Sequence, residues 1–507
     1  MASPQVMVTR VPHNVLRSRI DSGFYAPEHL ERELRLRQLG VLRPAIGESA
    51  SLVTDGTHKT PNYVENGVAF LSARNIYDNA LSFADHRFVS RVEFLQLRAW
   101  NCAPLPNDIL VAKSGSIGNA AVVPAHAPEF AVFESIAIVR CDRFDPYYLA
   151  TFLNSRIGQQ EIKRQTKGAV IRHLHLEDLR DVEIPEFTKD AQRYVGDKVR
   201  QAEGLRGRAC RLEAEVRRSY RMEIDRLGYV EVPHRKSFRT KLRDRLDPAY
   251  YDPAFTSVLD APWLTRNSVP LSRFFSEGSY GDLPDSGTYG TGGKWLIRAT
   301  DLNHCMTHWD TGLRVPAAEV SVKSEVREND ILLEVKGAIE KCAIGRGPAV
   351  GKHVNGTVFR LSPNGINAGY LCLHLTAEIK RKYAAREAVN NIIQYLNLDC
   401  IRALPVLRLD VDLEGRLGGS FIEAVDARTA ATTLTGAATT LVEQLIDGRV
   451  NQADIVAAQK ALDAGDRRAD REILQGLRQS DAPDARPLIA DVDALYALLD
   501  GSEADDT

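Results

Sequence analysis

Cysteine is sparse in this chain, and long apolar runs are missing. Seven cysteines stand in 507 residues, at positions 102, 141, 210, 305, 342, 372 and 400, no two of them close together. No CxxC pair occurs, which excludes a zinc ribbon or a disulfide framework and leaves reduced thiols. No apolar run approaches the roughly 18 residues that a membrane helix needs. Positions 1–20 lack the apolar centre of a secretory signal, so the expected location is cytoplasmic, with no membrane partner. What is present, 44% hydrophobic and 26% charged residues, is ordinary for a globular protein.

A strong net charge is also missing, at −2 overall, but the average hides a segregation. Residues 1–408 hold 56 Lys+Arg against 47 Asp+Glu, a net of +9, and residues 409–507 hold 9 against 20, a net of −11. A basic body is compatible with a polyanion partner.

The chain then repeats itself. Leu16-Arg17-Ser18-Arg19-Ile20-Asp21 with Phe24-Tyr25-Ala26-Pro27 returns, at an offset of 226, as Leu242-Arg243-Asp244-Arg245-Leu246-Asp247 with Tyr250-Tyr251-Asp252-Pro253. Asp108-Ile109-Leu110 and Gly115 return, at an offset of 222, as Asp330-Ile331-Leu332 and Gly337. Leu174, Leu176 and Leu179 before Pro185 return at that same offset of 222 as Leu396, Leu398 and Ile401 before Pro405. Landmarks in one order at near-constant offset mean two copies of one domain rather than a short-period solenoid. No candidate catalytic position is duplicated with them.

Short strands broken by Gly, Pro and Asn are expected from about position 41 to 185, clearest at 68–71, 109–111, 120–123 and 135–139. A helix is expected over 146–166. In the second copy strands are expected at 295–297, 331–335 and 357–361, and a helix over 367–389. From 189 to 227 the pattern changes. Val195, Val199, Ala202, Leu205, Ala209, Leu212, Val216, Tyr220, Ile224 and Leu227 recur with a mean step near 3.6, and no proline interrupts. Such a helix is about 55–60 Å long and calls for a partner helix, despite Gly204 and Gly207. A second helical stretch runs from about 410 to 447 and a shorter one over 453–462. The segment 478–507, rich in Asp and Ala, reads as mobile, with a short amphipathic helix over 488–499 as the exception.

Four fragments look catalytic and fail on inspection. Asp145-Pro146-Tyr147-Tyr148 is similar to the (N/D)PP(Y/F) loop of adenine methyltransferases, but it lacks the second proline and any upstream glycine-rich cofactor loop, and it reads as a helix start. Asp330, Glu334 and Lys336 are spaced like part of a nuclease metal site, yet the repeat maps Glu334 onto Ala112 and Lys336 onto Ser114. Gly347-Pro348-Ala349-Val350-Gly351-Lys352-His353 is one residue short of a phosphate-binding loop and lacks its Ser/Thr. His304, Cys305 and His308 have no evident fourth ligand. No catalytic residue, no metal and no cofactor bound by this chain are therefore expected.

Asp55-Gly56-Thr57-His58-Lys59-Thr60-Pro61-Asn62-Tyr63, followed by Gly67-Val68-Ala69-Phe70-Leu71-Ser72-Ala73-Arg74-Asn75-Ile76, strongly resembles the opening of the target-recognition domain in specificity subunits of type I restriction–modification systems. Asn107-Asp108-Ile109-Leu110 with Ser114-Gly115-Ser116-Ile117-Gly118 resembles that family's second landmark. Its third is matched by Asp145-Pro146-Tyr147-Tyr148-Leu149, Leu153-Asn154-Ser155 and Gln165-Thr166-Lys167-Gly168-Ala169. The order of elements matches over roughly positions 12–460. The second copy is more diverged, and the acidic extension beyond about Leu477 does not belong to the pattern, which leaves room for a variant defence system.

The resemblance implies an α+β fold with two β-rich target-recognition domains separated by an antiparallel pair of long helices. The expected division is 1–186 and 229–408 for the recognition domains, 187–228 and 409–478 for the helical spacers, and 479–507 for an acidic tail. It also implies a non-enzymatic subunit that reads a split, asymmetric target in double-stranded DNA. Its partners would be two methyltransferase subunits, which bind the S-adenosylmethionine, and in restriction complexes translocating nuclease subunits. The first-helix face with Arg206, Arg208, Arg217 and Arg218 and the region 439–450 are the expected docking surfaces.

Base readout needs paired donors and acceptors on loops at groove edges, and phosphate contact needs cations, hydroxyls and backbone N–H. The first copy offers Thr57, His58, Lys59, Arg74, Asn75, Lys113, Ser114 and Ser116, with a second basic cluster of Lys163, Arg164, Lys167, Arg172 and His173. The second copy offers Tyr280, Tyr289, Lys294, Arg298, Lys336, Lys341, Asn390, Asn391 and Gln394. The competing readings are a duplicated nuclease, a stand-alone methyltransferase, and a scaffold whose basic body docks an acidic protein.

Overall fold

A buried aspartate opens the central strand of each copy. Asp108 accepts the Leu105 amide at 2.7 Å and both Nε and Nη2 of Arg140 at 2.8 Å. Its counterpart Asp330 accepts the Arg327 amide at 2.8 Å, Arg360 Nη1 at 2.5 Å and Ser362 Oγ at 2.6 Å. Each carboxylate ties down the turn that delivers the chain into Ile109–Ala112 or Ile331–Glu334. Every residue of both strands is buried, which is why 109–112 and 331–333 read as unbroken apolar runs rather than alternating ones.

The computed structural model describes residues 11, 16, 22–77, 79–166, 173–241, 245–290, 292–303, 306–307, 313–388, 394–478 and 487–505. It falls into two units, Met1–Glu203 with Ala431–Tyr496 and Gly204–Ala430 with Ala497–Thr507. The α+β class is as expected, with small sheets and helices in each unit.

Both units use one sheet plan. In the first, an antiparallel sheet runs in the order Leu52–Asp55, Ile136–Arg140, Ile109–Ala112, Ala120–Val122. In the second, the order is Phe275–Tyr280, Val358–Pro363, Ile331–Glu334, Cys342–Ile344, the same strands in the same places. Beside it lies a smaller sheet with one parallel pair, Val68–Leu71 on Phe130–Val132 in the first unit and Lys294–Ile297 on His353–Val354 in the second. The strands expected from sequence are present, with slightly shifted ends.

The helix expected over 146–166 is two helices, Pro146–Asn154 and Arg156–Gln165. Ser155 breaks it. Its backbone is extended at ψ 157°, its hydroxyl donates to the Phe152 carbonyl at 2.6 Å, and it accepts the Gly158 amide at 3.1 Å. A Cβ on Gly158 would lie 1.9 Å from the Phe152 oxygen, so only glycine permits this close reversal. The second copy breaks at the same place. Ala368–Leu375 and Glu378–Glu387 replace the single helix expected over 367–389, whose last residue lies outside the described ones.

Asp145 and Asn367 start these helices as N-caps, Asp145 accepting the amides of Tyr147 and Tyr148, and Asn367 that of Tyr370. Pro146 is at the first turn, so the methyltransferase-like tetrapeptide is a helix start. One turn in, Tyr148 donates to the Pro185 carbonyl at 2.6 Å and Tyr370 to the Leu407 carbonyl at 2.7 Å, both phenols buried. Arg164 lies 4.1 Å over the Phe24 ring and Arg386 5.1 Å over Tyr250, so the N-terminal piece of each copy is pinned alike.

The first long helix covers Lys189–Leu227, as its spacing predicts, and the second covers Val411–Ile446. Within the second unit they run antiparallel, since Cys210 meets Arg428 while Arg217, further along, lies over Phe421. Arg208 is ion-paired with Glu423, and Arg217 with Glu213 at 2.8 Å. Two of the four arginines offered as a docking face are thus engaged inside their own unit, whereas Arg218 is exposed. In the region 439–450, Leu441, Val442, Leu445 and Ile446 are buried as well. The short helix expected over 453–462 is Gln452–Asp463, and Arg468–Gly476 follows it unannounced by the sequence.

In the described part of the tail the short amphipathic helix expected over 488–499 is present, with its bounds shifted toward the C-terminus. Val492–Asp505 is a helix, and Leu488, Ile489, Val492, Leu495, Tyr496 and Leu499 are buried. Within the first unit Asp470, 1% exposed, accepts the Tyr194 hydroxyl at 2.6 Å and Lys198 Nζ at 2.7 Å, and Tyr496 also donates to it. The apolar stripe shows in the sequence, whereas its partners far away in the chain do not.

Candidate nucleic-acid interface

In the first copy the segments that follow successive strands are laced together. Lys113 N–H donates to the Ser135 carbonyl at 2.8 Å, Leu174 N–H to the Lys113 carbonyl at 3.2 Å, and Glu134 N–H to the Thr57 carbonyl at 3.1 Å. Ala73 N–H reaches Ser135 Oγ at 3.0 Å. Residues 57–59, 73–75, 113–116 and 173 therefore share one edge. The second copy reproduces the lacing, with Val335 N–H to the Thr357 carbonyl and Leu396 N–H to the Val335 carbonyl at 3.0 Å each, and Ala299 N–H to Thr357 Oγ1 at 3.1 Å.

Not every candidate on these edges faces outward. His58, Lys59, Ser116 and His173 are exposed and Ser114 is half-buried. Thr57 and Asn75 are engaged within their own loops. Thr57 is buried, and its Oγ1 accepts the Lys59 amide at 3.2 Å, so it shapes the turn. Asn75, 2% exposed, accepts Ser72 N–H and donates to the carbonyls of Ser82 and Ala84. These polar loop residues serve as backbone caps. Arg74 is exposed and donates to the Asp85 carbonyl at 2.7 Å. Lys113 is ion-paired with Asp55, and His58 lies 2.6 Å from Glu134 and 3.4 Å from Asp55. Sequence reading missed these two carboxylates, which temper the edge's positive charge. In the second basic cluster Arg164 is buried against Glu33, Lys163 is exposed, and Lys167 and Arg172 lie outside the described residues.

In the second copy Lys336, Lys341 and Gln394 are exposed and neighbours. Lys336 pairs with Tyr395 and Gly337 with Gln394 across a short antiparallel ribbon, and Lys341 Nζ rests 3.3 Å from the Ala299 carbonyl. Asn390 and Asn391 lie outside the described residues. Tyr280 is packed rather than presented, donating to the Leu396 carbonyl at 3.2 Å and stacking on Tyr395 at 6.1 Å. Arg298 is spent on Asp301, through its amide at 2.8 Å and a two-pronged guanidinium contact at 3.1 Å. Lys294 is exposed at the opposite end of its strand, and Tyr289 belongs with it, since Gly290 bonds to Arg314 there. The structure does not bring that pair to the laced edge.

The catalytic look-alikes have other partners. Asp330 is consumed by Arg360, Ser362 and the Arg327 amide, and Glu334 Oε2 by the amides of Glu340 and Lys341 at 3.1 and 3.0 Å. Lys352 is buried over the Trp295 ring at 5.2 Å. His304, Cys305 and His308 lie outside the described residues. Among the described residues no group of three or more His, Cys, Asp or Glu is arranged to hold a metal ion, and no helix is long and apolar enough to cross a membrane.

No protein-family model and no curated protein matches the chain. Solved structures are similar to it at low identity. The type I restriction–modification system S subunit from M. genitalium matches over 80% of this chain and 95% of its own, at 15% identity and a TM-score of 0.41. The HsdS subunit from Thermoanaerobacter tengcongensis matches over 81% and 97%, at 14% identity and a TM-score of 0.26. A chain from a structure of the assembly and conformational transition of the type I R-M system matches over 82% and 97%, at 14% identity and a TM-score of 0.26. At these values the likeness carries no functional assignment by itself.

Proposed function

We propose that this chain is the sequence-specific DNA-recognition subunit of a restriction–modification or related methylation-based complex, without catalysis of its own. One observation carries the reading: the two copies share their lacing and caps while the polar side chains along it are exchanged. Where the first copy has Ser114, Ser116 and Asn119 the second has Lys336, Ala338 and Lys341, and where it has Arg74 the second has Thr300. An enzyme duplicated for chemistry would keep its reacting groups and vary its frame. A reader of two different half-targets keeps the frame and varies the groups that meet bases. The motifs resembling type I specificity subunits point the same way. Each copy would read one part of a split, asymmetric target, and the helical regions would carry two methyltransferase subunits, with S-adenosylmethionine on those partners and nuclease subunits in a restriction complex.

The test is co-purification of the full chain with its methyltransferase, followed by mapping of methylated sites. A single bipartite, non-palindromic motif is expected from the complex, and no methyl transfer to duplex DNA from the chain alone. Turnover by the methyltransferase-free chain, or methylation without sequence preference, contradicts the proposal.

A further inference from the structure

The turn after the central strand of the second copy is built at a cost that its counterpart avoids. Residues 336–341 follow Ile331–Glu334. Gly337 stands at φ +122°, where a Cβ would lie 2.9 Å from Glu334 Oε1. Ile339, β-branched and 2% exposed, stands at φ +51°. Left-handed backbone costs an L residue about 1–2 kcal/mol. In the first copy the same turn meets its positive-φ positions with Gly115 and Gly118.

Two groups hold the costly turn from beneath. Glu334 Oε2 accepts the amides of Glu340 and Lys341 at 3.1 and 3.0 Å, and Lys380 Nζ donates to the Ile339 carbonyl at 2.5 Å. Lys380 is fully buried, and burial pulls its amine down to about 8. The repeat places Gly158 opposite Lys380 and Ala112 opposite Glu334, so the first copy has neither group. A buried ammonium and a left-handed isoleucine both cost folding free energy, which methionine at 380 and glycine at 339 would spare. What they secure is position. Lys336 stays exposed on one strand of the ribbon and Gln394 on the other.

We infer that residues 336–341 with Gln394 form the groove-reading element of the second copy, and that Lys380 and Glu334 are its positioning residues. This rests on the DNA-reading proposal above. A glutamine amide makes a two-point contact with an adenine edge, and an ammonium meets guanine acceptors or a phosphate. Both need a backbone held to within about 0.5 Å.

The experiment is selection of bound duplexes from a randomised library by the full chain in its methyltransferase complex, with thermal melting alongside. Lys380→Met should relax preference at one half-motif by about tenfold or more, the discrimination of a two-point contact, and leave the other half intact. Glu334→Gln, whose amide oxygen still accepts both N–H groups, should keep the wild-type motif. Glu334→Ala should relax the same half as Lys380→Met, and it carries the test should Lys380→Met not fold. The inference is overturned if Lys380→Met and Glu334→Ala read both halves as the wild type does, or if both halves weaken equally with a fall in melting temperature. A wild type that selects no motif overturns the DNA-reading proposal itself.

Discussion

At the scale of single residues, the second copy buries a histidine where the first buries a phenylalanine. His374 occupies the position that the repeat assigns to Phe152 in the first copy. It is fully buried, its Nε2–H donates to the Pro405 carbonyl at 2.8 Å, and Nδ1 accepts the Tyr220 hydroxyl at 2.6 Å. Burial holds its imidazole down at about 4, below the ordinary 6.5. The folded chain therefore binds fewer protons here than the unfolded chain between those values, so stability is full above pH 6.5 and is lost as pH falls toward 4. His374→Phe should flatten that acid limb in urea unfolding measured from about pH 7 to 4.5. At neutral pH it should cost about 1–3 kcal/mol, because the Tyr220 hydroxyl and a carbonyl lose their partner. An acid limb of unchanged slope would show that this histidine is not its source.

At the scale of elements, the tail makes the sharpest prediction. Asp470 joins Tyr194, Lys198 and Tyr496 at a site closed to water. Asp470→Ala leaves Lys198 buried without its counter-charge and should cost roughly 3–5 kcal/mol. Tyr496→Phe should cost about 1–2 kcal/mol. A chain ending at Leu477 should melt lower than the full chain, and equal melting would mean the segment contributes nothing to the fold. Much of the architecture was legible. The first long helix shows in a sustained 3.6 spacing, and the strands in apolar runs bounded by Asp, Gly and Pro. What was not legible depends on distant contacts. Ser155 breaks a helix because Gly158 lets the backbone pass a carbonyl, and the tail helix is held by residues as remote in sequence as Tyr194 and Asp470. The capping bonds of Thr57 and Asn75 could not be told from sequence, because a cap and a base-reading side chain use the same atoms.

At the scale of the whole molecule, the near-neutral total charge is a poor guide to partners, for a +9 body precedes a −11 C-terminal fifth. Binding to DNA should therefore depend on local exposed cations. Lys59 is exposed on the first laced edge. If it meets a phosphate, Lys59→Ala should weaken binding to all sequences and remove about one unit of the salt slope. The central claim is that two copies of one frame read two different half-targets independently. It is tested most directly by selecting duplexes from a randomised library with the methyltransferase complex carrying either Arg74→Ala with Ser116→Ala or Lys336→Ala with Gln394→Ala. The account predicts a bipartite motif in which the first pair relaxes one half alone and the second pair relaxes only the other. One continuous or palindromic motif, or equal loss across both halves from either pair, would contradict it.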